Sequence, residues 1–416
     1  MITVFRGGRI FVGNGEVIPR GDLVLEDEKI LAVGPQGQVQ LPSGAEQVYD
    51  VSGKTILPGL IDAHIHITGS GNPDRWERIK ELVPHMAIRA AVNARRTLEA
   101  GFTTIRDAGA PGRVDIALKQ AINEGLVPGP RMLVSGRGLS ITGGHGDSAN
   151  GWPPEVEFKG RYVVDGVDAA RRAAREQLRD GADQIKLHAT GGVMSEGDLP
   201  TARGLTLEEM RAAIEEANNV GKKSMTHAQG STGIKNAILA GINSIEHGFY
   251  LTDEIIELML KRDVFFVPTL AAMHHIVTRG TEGKIPAYAV AKAREAQEAH
   301  TASFRRALAA GVKIAMGTDA ATPFNYHGNN ALELELMVQA GMSPRQALLA
   351  ATKMGAELLG LSDKIGALEP GKLADVVVVD GDPLEDVKVV QKKEAILLVM
   401  KEGRVAVNRG LSSGGR

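Results

Sequence analysis

The sequence predicts an α/β fold: a (β/α)8 barrel accompanied by a small β-sandwich built from both ends of the chain. Three observations predict it. From residue 58 to about 365, β-prone apolar runs alternate with Ala-, Arg- and Glu-rich stretches whose apolar spacing is near 3.6. The runs number eight, the strand count of a closed parallel barrel. Residues 1–57 and 366–416 share a different texture, short β-prone runs broken by Gly-rich or polar turns, and neither end has enough residues for a core alone. The expected division is therefore 1–57 plus 366–416 as the β-sandwich, with the barrel, 58–365, inserted between them. Chain ends commonly lie close in space, which permits this.

In the N-terminal part the β-prone runs are Thr3–Phe5, Arg9–Val12, Leu23–Leu25, Ile30–Val33 and Gln47–Asp50. The turns between them include Gly7-Gly8, Gly13-Asn-Gly15 and Asp27-Glu-Lys29. The eight barrel strands are read at 60–66, 102–107, 131–135, 183–188, 223–227, 243–247, 264–268 and 313–319. Helical periodicity covers 85–100, 115–124, 166–180, 206–220, 231–240, 253–262, 286–310 and 329–340. Several of these stretches run into glycine, as at Gly101, Gly181, Gly241 and Gly311, the usual helix stop. Thr206-Leu-Glu-Glu209 resembles a capping box. Val376–Val379, Ile396–Lys401 and Arg404–Val407 return the chain to β structure. Long loops follow strand 1 (67–84), strand 3 (136–165) and strand 4 (189–205). Loops of that length are usually functional, and barrel chemistry sits at the C-terminal ends of the strands.

Composition narrows the partners. With 43% hydrophobic and 24% charged residues and a formal net charge of −2, nothing favours nucleic acid or an anionic membrane. The longest apolar runs fall far short of the ~20 residues a membrane span needs. Met1-Ile-Thr-Val-Phe5 runs straight into a strand with no secretory signal in view, so a cytoplasmic location is expected. Cysteine is absent, which excludes disulfides and thiolate-held metals. Any metal must be held by His, Asp, Glu or a modified Lys.

The ligand-type residues fall at strand ends. His64 and His66 are i and i+2 on strand 1, so they project from one face. Lys186 lies near the end of strand 4, His227 ends strand 5, His247 ends strand 6 and Asp319 ends strand 8. Each has a plainer reading. A buried histidine can be a hydrogen-bonded core residue, Lys186 can pair with Asp183, and Asp319 can cap a turn. Together, six such residues on one rim point to a metal centre.

At this point the sequence resembles a known family. Pro58-Gly-Leu-Ile-Asp-Ala-His-Ile-His66 is similar to the first-strand signature of the metal-dependent amidohydrolase superfamily. Gln184-Ile-Lys-Leu-His-Ala-Thr-Gly-Gly192, Ser244-Ile-Glu-His-Gly-Phe-Tyr250 and Gly317-Thr-Asp319 resemble its branch of binuclear Xaa-Pro dipeptidases, related carboxypeptidases and imidazolonepropionases. Gly366-Ala-Leu-Glu-Pro-Gly-Lys-Leu-Ala-Asp375 is similar to that family's return into the β-sandwich. His188 departs from the pattern, standing where a small or apolar residue is expected.

The resemblance implies two divalent ions per chain, zinc by expectation, with His64, His66 and Asp319 on one and His227 and His247 on the other. Lys186 would carry CO2 as a carbamate (N6-carboxylysine) bridging both, since a free ammonium cannot ligate. Two such metals hold a bridging hydroxide and polarise a carbonyl. Asp319 would then shuttle the proton to the leaving nitrogen. His145, in Thr142-Gly-Gly-His145-Gly, would touch the substrate carbonyl oxygen, or be a solvent histidine on a flexible loop. Tyr250 could donate to a substrate carboxylate or simply pack. Arg203 and His327 are further substrate-binding candidates. His85, His274, His275 and His300 read as surface or packing residues, and Asp62 and Asp107 as structural.

The expected activity is hydrolysis of an amide next to a carboxylate, in a dipeptide or N-acyl amino acid, by a homo-oligomer. The alternatives are a cyclic-amide hydrolase like imidazolonepropionase, a promiscuous lactonase or phosphotriesterase, and a non-catalytic scaffold, which tends to lose ligands. A dinucleotide enzyme is disfavoured, since no GxGxxG follows a strand and opens a helix.

Overall fold

The computed structural model of the chain describes residues 1–40, 42, 44–74, 80–153, 155–156 and 162–414. Residues 41 and 43, parts of two long loops (75–79, and 154 with 157–161), and the last two residues thus lie outside the described residues.

The N-terminal strands are β1 (Ile2–Phe11), β2 (Val17–Glu26), β3 (Lys29–Pro35), β4 (Gln47–Asp50) and β5 (Thr55–Pro58). Gly7-Gly8 is no turn between strands. β1 runs through it, and the register against β2 shifts between Arg6 and Gly8. A bulge absorbs the extra residue, and Gly7 takes φ 75°, which glycine adopts freely. The C-terminal strands β13 (Val376–Val379), β14 (Ile396–Lys401), β15 (Arg404–Asn408) and β16 (Ser413–Gly414) join the same nine-stranded sheet, through β13 on β5 and β16 on β4. Phe5, Leu23, Ile56, Val376, Val378 and Leu398 fill its core. Alternation places them on one face, as period-2 patterning requires.

Between the two ends run the barrel strands β6 (Leu60–Ile65), β7 (Phe102–Asp107), β8 (Arg131–Leu133), β9 (Gln184–His188), β10 (Lys223–Ala228), β11 (Ser244–His247) and β12 (Phe265–Val267). They form two parallel sets, β6-β7-β8 and β9-β10-β11-β12. Two irregular segments close them. Leu139 N donates to Lys186 O at 2.8 Å, and His188 N to Leu139 O at 3.0 Å. Segment 313–319, expected as a full strand, makes with the adjoining Ala320 only isolated bridges, Ile314 with Phe266 and Ala320 with Ile65. Closure there rests on Phe266 N to Lys313 O and Ala63 N to Met316 O, each 2.9 Å. The protein is a (β/α)8 barrel with a small β domain.

The helices, α1 (Val83–Glu99), α2 (Val114–Asn123), α3 (Val167–Arg179), α4 (Leu207–Asn219), α5 (Ser231–Ala240), α6 (Asp253–Arg262), α7 (Leu270–Arg279), α8 (Ala287–Ala310), α9 (Leu332–Gln339), α10 (Pro344–Ala350) and α11 (Lys353–Leu359), surround the strands. Their apolar stripes face inward; α1 buries Ala90, Asn93, Ala94, Thr97 and Leu98. The Thr206–Glu209 capping box forms as expected. The sequence reading missed α7, α10 and α11. α7 begins just past Pro268, with no side-chain cap from Thr269, and the other two are only seven residues each. No helix among the described residues is long and apolar enough to cross a membrane.

Candidate metal centre and active site

Strand geometry brings the histidines together. His64 and His66 sit on β6 with ring centroids 5.6 Å apart. His247 lies 5.1 Å from His64, His227 4.6 Å from His247, and His145 4.0 Å from His227 in a stacked pair. The row of rings ends at His188, 5.8 Å from His227. Asp319 Oδ1 lies 3.5 Å from His64 Nε2 and 3.3 Å from His66 Nε2. Candidate ligand atoms of His64, His66 and Asp319 all lie within 4.8 Å of one another.

One nitrogen of each ring is already committed to the protein. His64 Nδ1 is 2.7 Å from Glu246 Oε2, and His66 Nδ1 is 3.0 Å from Gly109 O. His247 Nδ1 is 2.7 Å from Thr269 Oγ1, and His227 Nε2 is 2.9 Å from Gly191 O. Carbonyl, carboxylate and hydroxyl acceptors fix those hydrogens, the Thr269 hydroxyl giving its own hydrogen to Pro268 O, and turn the opposite lone pairs inward, the arrangement that metal-ligating imidazoles require. The donor set fits divalent cations of the zinc type. His247 (φ 72°) and Asp319 (φ 56°) both hold left-handed backbone. That conformation costs of order 1–3 kcal/mol for such residues and recurs at functional sites.

Electrostatics follows from burial. Burial alone would raise the Glu246 carboxyl, but the Arg106 guanidinium, 2.9 Å away, and the bond from His64 hold it at about 2. Asp319 would likewise rise on burial, yet its contacts with His64 and His66 hold it well below the usual carboxylate range. Burial pushes His227 and His247 well below the ordinary imidazole value. Lys186 is 2% exposed, and burial lowers its amine to about 8. Among the described residues no hydrogen bond or ion pair holds its Nζ. Asp183, its expected alternative partner, is bound instead by Lys119 at 2.6 Å.

The remaining candidates are spread around this group. His145 is half-buried, with burial pushing it to about 4. His188 gives Nδ1 to Leu139 O at 3.0 Å, its ring in a slot where a Cβ on Gly138 would stand 2.5 Å from Cε1. Tyr250 is half-buried against the apolar cluster of Val193, Phe249 and Met273. Arg203 is exposed on the loop after β9. His327 faces Thr97 Oγ1 at 3.2 Å and His66 O at 3.1 Å, behind the first strand. His300 is buried and bonds Pro268 O, while His85 is exposed. Asp62 accepts from His64 N, Thr318 N, Thr318 Oγ1 and Asn330 Nδ2. It ties the first strand to the segment that carries Asp319.

Sequence reasoning missed Glu246, Arg106, Thr269 and Ser195. A signal for the first two was present: a charged residue inside a four- or six-residue strand must find a buried partner.

Residues 55–406 match the profile of the amidohydrolase family. The chain belongs to that family. It is 33% identical to ochratoxinase of Aspergillus niger over 438 residues, covering 100% of this chain and 88% of that protein. A Xaa-Pro dipeptidase structure with methionine bound in its active site superposes with a TM-score of 0.90 at 34% identity, covering 97% of this chain and 99% of that one. A prolidase complexed with N-methylphosphonate-L-proline gives a TM-score of 0.89 at 33% identity, covering 98% and 100%. This amidohydrolase is thus a hydrolytic enzyme acting on amide bonds of small molecules.

Proposed function

We propose that this amidohydrolase cleaves the amide bond next to a free carboxylate in dipeptides or N-acyl amino acids, using two divalent ions, zinc for preference. The observation that carries the reading is the meeting of His64, His66 and Asp319 with His227, His247 and a buried, unpartnered Lys186 at one mouth of the barrel. His64, His66 and Asp319 would hold one ion, and His227 and His247 the other. Lys186 would bridge them as a carbamate. An amine on a buried side chain, lowered to about 8 and held by no hydrogen bond among the described residues, fits that modification, since the neutral amine is the form that takes up CO2. When bound, the two ions polarise the scissile carbonyl and lower the pKa of water to about 7.

The chain's own residues do the rest. Asp319, ionised at neutral pH, takes a proton from the attacking water and passes it to the leaving nitrogen. His145 meets the substrate carbonyl oxygen from above the His227 ring. In this reading Tyr250 and the exposed Arg203 would meet the substrate carboxylate, and the apolar cluster beside Tyr250 would receive a side chain. His327, between Thr97 and the His66 carbonyl, is better placed to hold the first strand than to meet a substrate. A bound amino acid in one relative and a proline phosphonate in another support a carboxylate-bearing substrate.

The test is a library of dipeptides and N-acyl amino acids, with lactones and cyclic amides as controls, screened against zinc-loaded enzyme beside Asp319→Asn. Carboxylate-bearing amides should turn over and the variant should lose about 10²- to 10⁴-fold. Equal turnover by the variant, or hydrolysis of the controls alone, would remove the reading.

A further inference from the structure

We propose that Ser195, Asp198 and Lys292 form a positioning relay behind His145. The relay fixes the ring so that Nδ1 bears hydrogen toward Ser195 and Nε2 is the atom offered to substrate. The inference rests on the role given to His145 above.

Ser195 Oγ lies 2.8 Å from His145 Nδ1, 2.6 Å from Asp198 Oδ1 and 3.3 Å from Gly192 O. A serine hydroxyl has one hydrogen to give. The carbonyl is an acceptor only, as is the carboxylate, and the carboxylate is both nearer and charged, so it takes the hydrogen. The Ser195 oxygen then turns its lone pairs to His145, and Nδ1 must be the donor. This holds whether or not Nε2 also carries a hydrogen.

The far end of the relay is tied down. Lys292 on α8 donates to Asp198 Oδ1 at 3.1 Å, Gly192 O at 3.0 Å and Ser195 O at 2.7 Å. Gly192 N donates to the other Asp198 oxygen at 3.2 Å. The Asp198 and Lys292 side chains are only 7% and 13% exposed. Two further contacts leave the His145 ring no freedom to turn. Its face lies on His227 at an interplanar angle of 14°, and a Cβ on Gly192 would stand 2.2 Å from Nδ1. Loop 192–198 and α8 thus set the bearing of a ring 50 residues upstream of Ser195.

The experiment uses the zinc-loaded full-length enzyme with ¹⁵N-labelled histidine, the His145 signals assigned by their loss in His145→Asn. Wild type should show hydrogen on Nδ1. Ser195→Ala should move the ring to a mixture of tautomers and lower kcat about 10- to 100-fold with little change in KM. Ser195→Thr, which keeps the hydroxyl, should restore both. Asp198→Asn provides the second variant and should act in the same direction. Wild-type tautomer and kcat in folded Ser195→Ala would overturn the relay. Should no amide substrate be found, the nitrogen signals alone decide it, and only the reading of the activity falls.

Discussion

Glu246 shows how much one buried carboxylate can organise. It accepts from His64, Arg106 and Ser244, residues brought from three strands. Replacing it by Gln removes the charge that balances a fully buried guanidinium, and breaking such a pair costs about 3–5 kcal/mol. Glu246→Gln should therefore melt well below wild type in calorimetry and bind zinc more weakly in titration. If the proposed two-ion centre holds, Lys186→Ala should leave the fold intact and remove both ions in elemental analysis; loss of one ion per chain would contradict a bridge. At this scale the sequence was legible wherever chemistry-bearing side chains interrupt apolar strands, as with His64, His227 and His247. It was opaque wherever the partner is far along the chain. Glu246 meets His64 across 182 residues and Lys292 meets Ser195 across 97, and no local pattern encodes either pairing.

Among the elements, segment 313–320 is the barrel's thinnest seam. It is read as a strand from its apolar run, but Gly317-Thr-Asp319 bends to deliver Asp319 in left-handed backbone, so the ladder breaks. Gly317 is required there, because a Cβ would stand 2.4 Å from Val267 Cγ1 and 2.9 Å from His64 Cβ. Gly317→Ala should push the seam off β6, and metal affinity should fall before global unfolding is seen by circular dichroism. The helix starting at Leu270 has a similar double duty. Glu333 takes the Leu270 and Ala271 amides at 2.8 and 2.7 Å, which sets Thr269 against His247. The alternation of strands and helices was readable because a period of 3.6 persists over ten or more residues in the longer helices, and short apolar runs recur between them. The short α10 and α11 offer too few turns for a period to show.

For the molecule as a whole, stability depends on the joint between the β sheet and the start of the barrel. Arg131 at the foot of β8 binds Asp375 at 2.7 Å, Glu402 at 2.6 Å and Thr104 at 2.8 Å. Arg131→Ala should lower Tm by an amount matching roughly 3–5 kcal/mol. Acid sensitivity has its source in a buried histidine. Burial pushes His300 down to about 4, so the unfolded chain binds a proton that the folded chain refuses between that value and the ordinary 6.5. Stability from this group is complete above pH 6.5 and is lost as pH falls toward 4, on the order of 2 kcal/mol by pH 5. His300→Gln, which keeps a donor for Pro268 O, should narrow the Tm gap between pH 7.5 and pH 5.

The sheet that joins both ends has a consequence for synthesis. Thr55 Oγ1 donates to Gly381 O, 326 residues later, and β5 has no β13 beside it until that stretch leaves the ribosome. At about 5–20 residues per second the nascent chain shows an unpaired apolar edge at Ile56 and Leu57 for tens of seconds. Messages cut short before codon 376 should accordingly yield insoluble product even when every barrel strand has been translated.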